Sequence, residues 1–492
     1  MSENGFNELN ISSELIKALD YLDYTKPTQV QQEVFPFLKA KKNIVVKSQT
    51  GSGKTASFAI PMCEQVEWEE RLPQVLILTP TRELAMQIQT EVFNISRFKR
   101  LKVASIFGRS PFQKQEKLLK QRTHIVVATP GRLLDHVNRG TIDLSKIETV
   151  IIDEADEMLA MGFIEQVDKV LASVSEDINI GLFSATMPAA IQKLADKYLP
   201  DASYIEVQSD DKVQNRIDQY YYNVMEDDKV QLLLDVLVVD NPNTSIIFCN
   251  TRDVVEELSE GLSALGAKPV MLHGGMEQRD RSKVITEFKQ GYHRFLVATD
   301  VAARGLDISD VSLVVNFDFP NTVETYTHRI GRTARLDKEG KAITFVNQYD
   351  GKNFDEIAEF NEGAWKQMVA PKESLVADKM SSFTAKQERQ PKLKKVKELV
   401  FKEEIMKLHI NAGKKTKMRA GDVVGAIANI DGVSADDIGV IDLLDVSTFV
   451  EILNGKGSLV MKALDEKGIK GRKRRISKAN ESEYEREIKK HM

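Results

Sequence analysis

Thr149-Val150-Ile151-Ile152-Asp153-Glu154-Ala155-Asp156 runs from β-branched and apolar residues straight into an acidic turn. A short run without polar and apolar alternation fits a strand buried on both faces, and such strands belong to parallel sheets covered by helices. A strand of this kind delivers carboxylates to the sheet's C-terminal edge. There the first, Asp153, can hold Mg²⁺ and the second, Glu154, can orient an attacking water. Four common letters carry little weight alone; their context is Ser48-Gln49-Thr50-Gly51-Ser52-Gly53-Lys54-Thr55 upstream. That segment follows the strand candidate 43–47 and is placed to open a helix, as a phosphate loop requires. Its backbone N–H groups face phosphates, Lys54 reaches the β and γ oxygens, and the Thr55 hydroxyl ligates Mg²⁺. Ser48 stands where the general pattern has Gly, and its small side chain still permits the tight turn. Together the two segments imply a machine driven by a nucleoside triphosphate.

Working outward, β-branched runs at 43–47, 75–79, 102–107, 124–128, 149–153 and 178–183 alternate with amphipathic stretches, which reads as one α/β domain over 1–208. After the polar connection around Ser209-Asp210-Asp211 the rhythm restarts at 244–249, 268–272, 293–298, 312–317 and 341–346, a second α/β domain over 209–365. Residues 366–402 lose both periodicities and read as a linker running into a helix. A compact β-α-β-β-α-β rhythm then occupies 403–476, with strands expected at 406–410, 438–443 and 448–452, a helix at 457–465 and a basic strand at 470–476. Residues 477–492 read as a charged tail.

With 492 residues and 42% hydrophobic content, the chain suits two large domains and a smaller one. Cys63 and Cys249 are its two cysteines, with no C-x-x-C pair, and the first residues carry no basic and then apolar leader. A reducing cytoplasm is expected. No apolar stretch reaches the roughly 20 residues that span a bilayer, so no membrane role is expected. The net charge of −5 hides a division: residues 392–492 hold 22 Lys and Arg against 16 Asp and Glu, a local +6, which leaves −11 for residues 1–391. Counterion release follows local phosphate contacts, so an acidic body with a basic appendage still binds nucleic acid.

In the second half, His328-Arg329-Ile330-Gly331-Arg332-Thr333-Ala334-Arg335 places Arg332 and Arg335 three apart, where they share a helix face and can reach a γ-phosphate. With these segments the chain resembles the DEAD-box RNA helicases over about residues 6–350. The resemblance implies two tandem RecA-like parallel-sheet domains, ATP and Mg²⁺ as cofactors, and RNA rather than DNA as partner. Lys26-Pro27-Thr28-Gln29-Val30-Gln31 is similar to the family's adenine-reading segment, so Gln31 is expected on the adenine edge and Phe6 against the base. Asp23 stands where the family usually has Gly. Pro80-Thr81-Arg82-Glu83-Leu84 and Thr129-Pro130-Gly131-Arg132 resemble RNA-binding turns, with Thr81, Arg82, Thr129, Gly131 and Arg132 as contacts. The family's double glycine is here Gly108-Arg109, whose arginine either adds a phosphate contact or is a surface charge.

Ser184-Ala185-Thr186 is expected to bond toward Asp156 and couple the nucleotide site to domain closure, with His328 and Arg329 in the same coupling set. In the second domain Arg252, Gly274 and Thr299 are the matching RNA contacts, and Asp307 is expected on the ribose hydroxyls. Arg332 and Arg335 would act as arginine fingers, with Ala334 in place of the usual Gly. Lys54, Asp153 and Glu154 complete the catalytic set.

Residues 403–476 resemble the RNA-binding domain of DbpA-type DEAD-box proteins, an RRM-like α+β fold. Lys414, Lys415, Lys417, Arg472, Lys473 and Arg474 are its expected RNA contacts, because the expected strands offer only Phe449 for base stacking. The resemblance implies structured ribosomal RNA as substrate and a role in large-subunit assembly. A general cold-shock or RNA-decay helicase is the alternative. A DNA remodeller is disfavoured by Gln31 and the D-E-A-D run, and a nonenzymatic RNA clamp by the intact catalytic positions.

Overall fold

The computed structural model describes residues 5–48, 52–207, 217–303, 308, 311–333, 340–361, 365–389 and 405–479. Gln49, Thr50, Gly51, Asp307 and Arg335 lie outside the described residues. The first sheet comprises β1 (Ile44–Lys47), β2 (Val75–Leu78), β3 (Val103–Ile106), β4 (Ile125–Ala128), β5 (Thr149–Ile152), β6 (Asn179–Ser184) and β7 (Ser203–Glu206). They lie in the order β3-β4-β2-β5-β6-β1-β7, with β2 parallel to both β4 and β5, and β5 parallel to β6. All residues of β2, β4, β5 and β6 are buried, which is why these segments are apolar without alternation.

That order sorts the chemistry. The phosphate loop follows β1, Ser184-Ala185-Thr186 closes β6, and Asp153-Glu154-Ala155-Asp156 follows β5, so three neighbouring strands converge on one edge. With strands spaced about 4.8 Å apart, the loops after β1 and β5 are about 10 Å from each other, the reach of a lysine and a carboxylate. On the other half of the sheet the turns after β3, β4 and β2 are likewise neighbours. Ligands of open parallel sheets bind beyond the strands' carboxyl ends, where the strand order reverses.

The second sheet repeats the plan with β8 (Ile217–Asn223), β9 (Ser245–Cys249), β10 (Pro269–Leu272), β11 (Phe295–Thr299), β12 (Leu313–Asn316), β13 (Gly340–Val346) and β14 (Lys366–Gln367), in the order β10-β11-β9-β12-β13-β8-β14. Residues 366–389 fall in the segment read as a linker. They form β14, paired with β8, and the helix Glu373–Glu388. Phe383 of that helix is buried in the second domain's core and stacks on Phe295, with ring centroids 5.9 Å apart.

The third sheet is antiparallel: β15 (Met406–Ile410), β16 (Ile438–Leu443), β17 (Thr448–Ile452) and β18 (Ile476–Lys478), in the order β16-β17-β15-β18. Helices Ala420–Ala428 and Gly457–Lys467 cover one face through Val423, Ile427, Val460 and Leu464. The basic strand expected at 470–476 is corrected. Arg472 closes a bridge with Ile469, residues 473–475 are irregular, and the strand is Ile476–Lys478.

Candidate active site

The phosphate loop ends at Gly53, which caps the helix Lys54–Gln65 with φ of +94°. Only glycine takes that conformation without strain. Space imposes the same choice, because a Cβ there would stand 2.7 Å from Gln31 Nε2 and 2.9 Å from Thr28 Oγ1. Gln31 is buried and bonded at both ends of its amide: its Oε1 accepts from the Thr28 N–H at 2.9 Å, and its Nε2 donates to the Gly53 carbonyl at 3.2 Å. Phe6 is buried in the short helix Gly5–Leu9, which the Gly5 N–H ties to the Thr25 carbonyl at 2.9 Å. Of the adenine-reading candidates, Gln31 therefore sits against the loop that would carry the phosphates. Beside that loop, Ser48 Oγ and Ser52 Oγ are buried with no hydrogen-bond partner among the described residues, and a phosphate oxygen would satisfy such donors.

Facing them, Lys54 Nζ and Glu154 Oε1 form a buried ion pair at 3.0 Å. Burial works against the ammonium charge, but Glu154 and Asp153 outweigh it and hold the lysine above its ordinary range. Burial first, then the neighbouring Glu154, pushes the Asp153 carboxyl up to about 7 despite Lys54. An arrangement that concentrates negative charge out of water favours a cation. Among the described residues no group of three or more His, Cys, Asp or Glu side chains could hold a metal by itself. A hard cation that arrives with phosphate and water ligands needs only one or two protein carboxylates, and Asp153 with the Thr55 hydroxyl is chemically suited. Glu154 has φ of +53°, a conformation that strains a non-glycine residue by about 1 kcal/mol or more and clusters at functional sites.

Asp156 turns the other way. Its Oδ2 accepts from the Thr186 N–H at 2.9 Å and from Thr186 Oγ1 at 3.0 Å, while the Asp156 N–H donates to Ser184 Oγ at 3.2 Å. The acidic turn is thereby fastened to the end of β6.

On the other half of the sheet, Thr81 caps the helix Arg82–Ile95 by accepting from the Leu84 N–H. Arg82 is half-buried, Thr129 precedes Pro130 at a helix start, and Gly131 is exposed. Arg132 donates from Nη1 to the Ser110 carbonyl at 2.9 Å and to Gln115 Oε1 at 3.0 Å. Asp23 and Arg109, where the family has glycine, keep glycine-like backbones with φ of +58° and +57°, so both turns survive the substitution.

In the second domain Arg252 is exposed after β9 and Gly274 after β10, while Thr299 is buried at the end of β11. A Cβ on Gly275 would come within 2.9 Å of Arg252 Cδ, so these turns meet. Arg329, grouped from sequence with the coupling residues, is buried and bridges the ends of three strands, β9, β11 and β12. It donates to both Asp300 carboxylate oxygens at 2.6 and 2.7 Å, to the Asp318 carbonyl at 2.7 Å and to Asn250 Oδ1 at 2.8 Å. His328 is half-buried and Arg332 buried.

Family comparison agrees with this distribution. The DEAD/DEAH box helicase model matches residues 28–194, the helicase conserved C-terminal domain 228–337, and the DbpA RNA binding domain 407–478. The chain is 48% identical over 475 residues to the Bacillus subtilis ATP-dependent RNA helicase DbpA, covering 96% of this chain and 99% of that one. It belongs to the DEAD-box ATP-dependent RNA helicases, and to their DbpA type. A Geobacillus kaustophilus relative, DEAD-box ATP-dependent RNA helicase CshA, is 41% identical over 341 residues, 69% of this chain and 73% of that one. Among solved structures, S. cerevisiae Dbp5 bound to RNA and ADP BeF3 superposes with a TM-score of 0.69 at 31% identity, covering 78% of this chain and all of that one.

The helicase's C-terminal domain holds the remaining candidates. Lys414, Lys415, Lys417, Arg472 and Lys473 are exposed, and Arg474 is half-buried. Their two segments are tied by the Asn411 N–H donating to the Arg475 carbonyl at 3.1 Å. Phe449 does not stand alone on its sheet face, since His409 stacks on it with ring centroids 4.9 Å apart. A search for phenylalanine and tyrosine overlooks that histidine.

Proposed function

We propose that this DEAD-box helicase opens short RNA duplexes locally in an ATP-driven cycle, and that its C-terminal domain directs it to structured ribosomal RNA during large-subunit assembly. The observation that carries the mechanism is the Lys54–Glu154 ion pair at 3.0 Å. A triphosphate competes for the same ammonium, so binding it releases the Glu154 carboxylate to orient the attacking water. Asp153 and Thr55 are the residues that would hold Mg²⁺, which supplies charge neutralisation on the transferring phosphoryl group. Gln31 and Phe6 read the adenine, and Asp307 the ribose. Arg332 and Arg335 act as arginine fingers from the second domain, for which such groups are worth about 10³ to 10⁵ in rate. Hydrolysis is then gated by RNA held on Thr81, Arg82, Thr129, Gly131, Arg132, Arg252, Gly274 and Thr299, and Asp156 with Thr186 and His328 transmits closure.

For the substrate, the convergence of the basic segments 414–417 and 472–474 supports a structured RNA, because clustered exposed cations recognise shape and phosphate geometry. The same domain, matched over 407–478 by the DbpA RNA binding domain model, favours a DbpA-type role in the cytoplasm over a general RNA-decay helicase. Crosslinking the protein to RNA in cells and sequencing the bound fragments tests the assignment. Enrichment of large-subunit ribosomal RNA is expected, and a messenger-wide distribution would overturn it.

A further inference from the structure

Gln115 is the one buried residue of the helix Phe112–Leu119, and both ends of its amide are hydrogen-bonded. Its Nε2 donates to the Phe107 carbonyl at 3.0 Å. Its Oε1 accepts from Arg132 Nη1 at 3.0 Å and faces His136 Nε2 at 3.2 Å. Arginine has no acceptor, so the amide's orientation is fixed. Burial, then the nearby Arg132, holds the imidazole of His136 below its ordinary range and hence neutral. With Nε2 facing the Gln115 acceptor, Nδ1 lies 2.8 Å from Thr141 Oγ1, whose hydroxyl also reaches the His136 carbonyl at 3.1 Å. The ring is stacked on Phe112 at 4.1 Å, and Arg139 lies over the Phe112 ring at 4.5 Å. One side chain therefore ties the turn that leaves β3 at Phe107, where Gly108-Arg109 follow, to the arginine that follows β4.

We propose that Gln115 is a positioning residue for RNA: it locks Arg132 and the 107–110 turn into one preformed surface, so that RNA meets an arranged guanidinium instead of a mobile one. The proposal rests on the reading of Arg132 as an RNA contact. A leucine at 115 fits the volume but leaves the Phe107 carbonyl and an Arg132 N–H without their partner. Glutamate keeps the acceptor for Arg132 and adds a charge to it, while its second oxygen turns the donation to Phe107 into a contact between two acceptors.

RNA-stimulated ATPase titrations and nucleotide-binding titrations on the full chain test this, with Q115L, Q115E, R132A and the double variant Q115L/R132A. Q115L should raise the RNA concentration for half-stimulation by about tenfold, the loss of one charge-assisted hydrogen bond, with nucleotide affinity unchanged. Q115E should recover most of that loss. Because Gln115 acts through Arg132, the double variant should match R132A alone instead of multiplying the two effects. Multiplied effects, or an equal fall in nucleotide affinity, would overturn the positioning role. An unchanged half-stimulation in Q115L with a raised one in R132A would overturn it while sparing the Arg132 reading. No change in R132A would remove that reading and this proposal together. Should Q115L fail to fold, the isosteric Q115E compared with R132A decides: a loss as large as that of R132A would overturn the proposal.

Discussion

Gln31 donates from Nε2 to the carbonyl of Gly53, 22 positions along the chain and 3.2 Å away. The candidate adenine reader and the last turn of the phosphate loop are thus one hydrogen-bonded unit, with no room for a Cβ on Gly53 beside Gln31 and Thr28. A base that engages Gln31 acts on the loop that grips its phosphates.

Gly53→Ala should test that unit. A methyl group would combine a left-handed backbone with a contact of 2.7 Å, so the loop must shift or Gln31 must let go. Nucleotide affinity should fall at least tenfold, and stability of the first domain should drop by about 1–3 kcal/mol. Isothermal titration and denaturant unfolding check both. Unchanged affinity would show that the Gln31–Gly53 contact is incidental to binding.

Glu154→Gln should keep ATP binding and lose turnover by about 10²–10⁴-fold, since the amide preserves shape but not the charge that orients water. Lys54→Ala should weaken binding itself, because the phosphates lose their ammonium. Single-turnover hydrolysis beside a binding titration separates the two, and near-normal turnover in the Glu154 variant would remove that residue from the mechanism.

Arg329 makes a different prediction from its neighbour Arg332. Arg329→Ala would strand the Asp300 carboxylate next to Asn250 and the buried Asn316, and breaking a buried pair costs about 3–5 kcal/mol. The second domain's unfolding midpoint should fall sharply. Arg332→Ala and Arg335→Ala should instead leave ATP affinity nearly intact and cripple RNA-stimulated hydrolysis. A fall in nucleotide affinity parallel to the rate would make them ground-state ligands.

The contrast between those arginines marks where the sequence stops being informative. The buried runs 75–78, 125–128 and 149–152 announce their strands, because a strand covered on both faces has no polar positions. β8, Ile217-Asp218-Gln219-Tyr220-Tyr221-Tyr222-Asn223, does not: Gln219 is buried only because it meets Tyr326, a contact from a distant helix. The helix Glu373–Glu388 hides its docking in a single phenylalanine, Phe383. The phosphate loop, acidic turn and Ser184-Ala185-Thr186 are legible as motifs, since their residue types suit one chemistry. Gln115 is not, because an amide on an amphipathic helix looks the same whether it faces water or ties two loops together. Likewise nothing local distinguishes Arg329, neutralised by Asp300, from the arginine three positions on.

The final prediction concerns the choice of RNA. The core's candidate contacts are threonines, glycines and arginines at strand ends, suited to sugar and phosphate and indifferent to sequence. Preference must then come from the exposed cations at 414–417 and 472–474. Replacing Lys414, Lys415, Arg472, Lys473 and Arg474 together with glutamine should raise the ribosomal RNA concentration for half-stimulation to that of random RNA. Maximal rate should change much less, because tethering raises local substrate concentration without touching the reacting phosphate. The tether is electrostatic, so the difference between parent and variant should shrink as salt rises, with each lost phosphate contact removing about 0.7–0.9 from the slope of log affinity against log salt. ATPase titrations with both RNAs at several salt concentrations measure all of this. If the parent protein is half-stimulated equally by ribosomal and random RNA, the C-terminal domain is not the source of specificity.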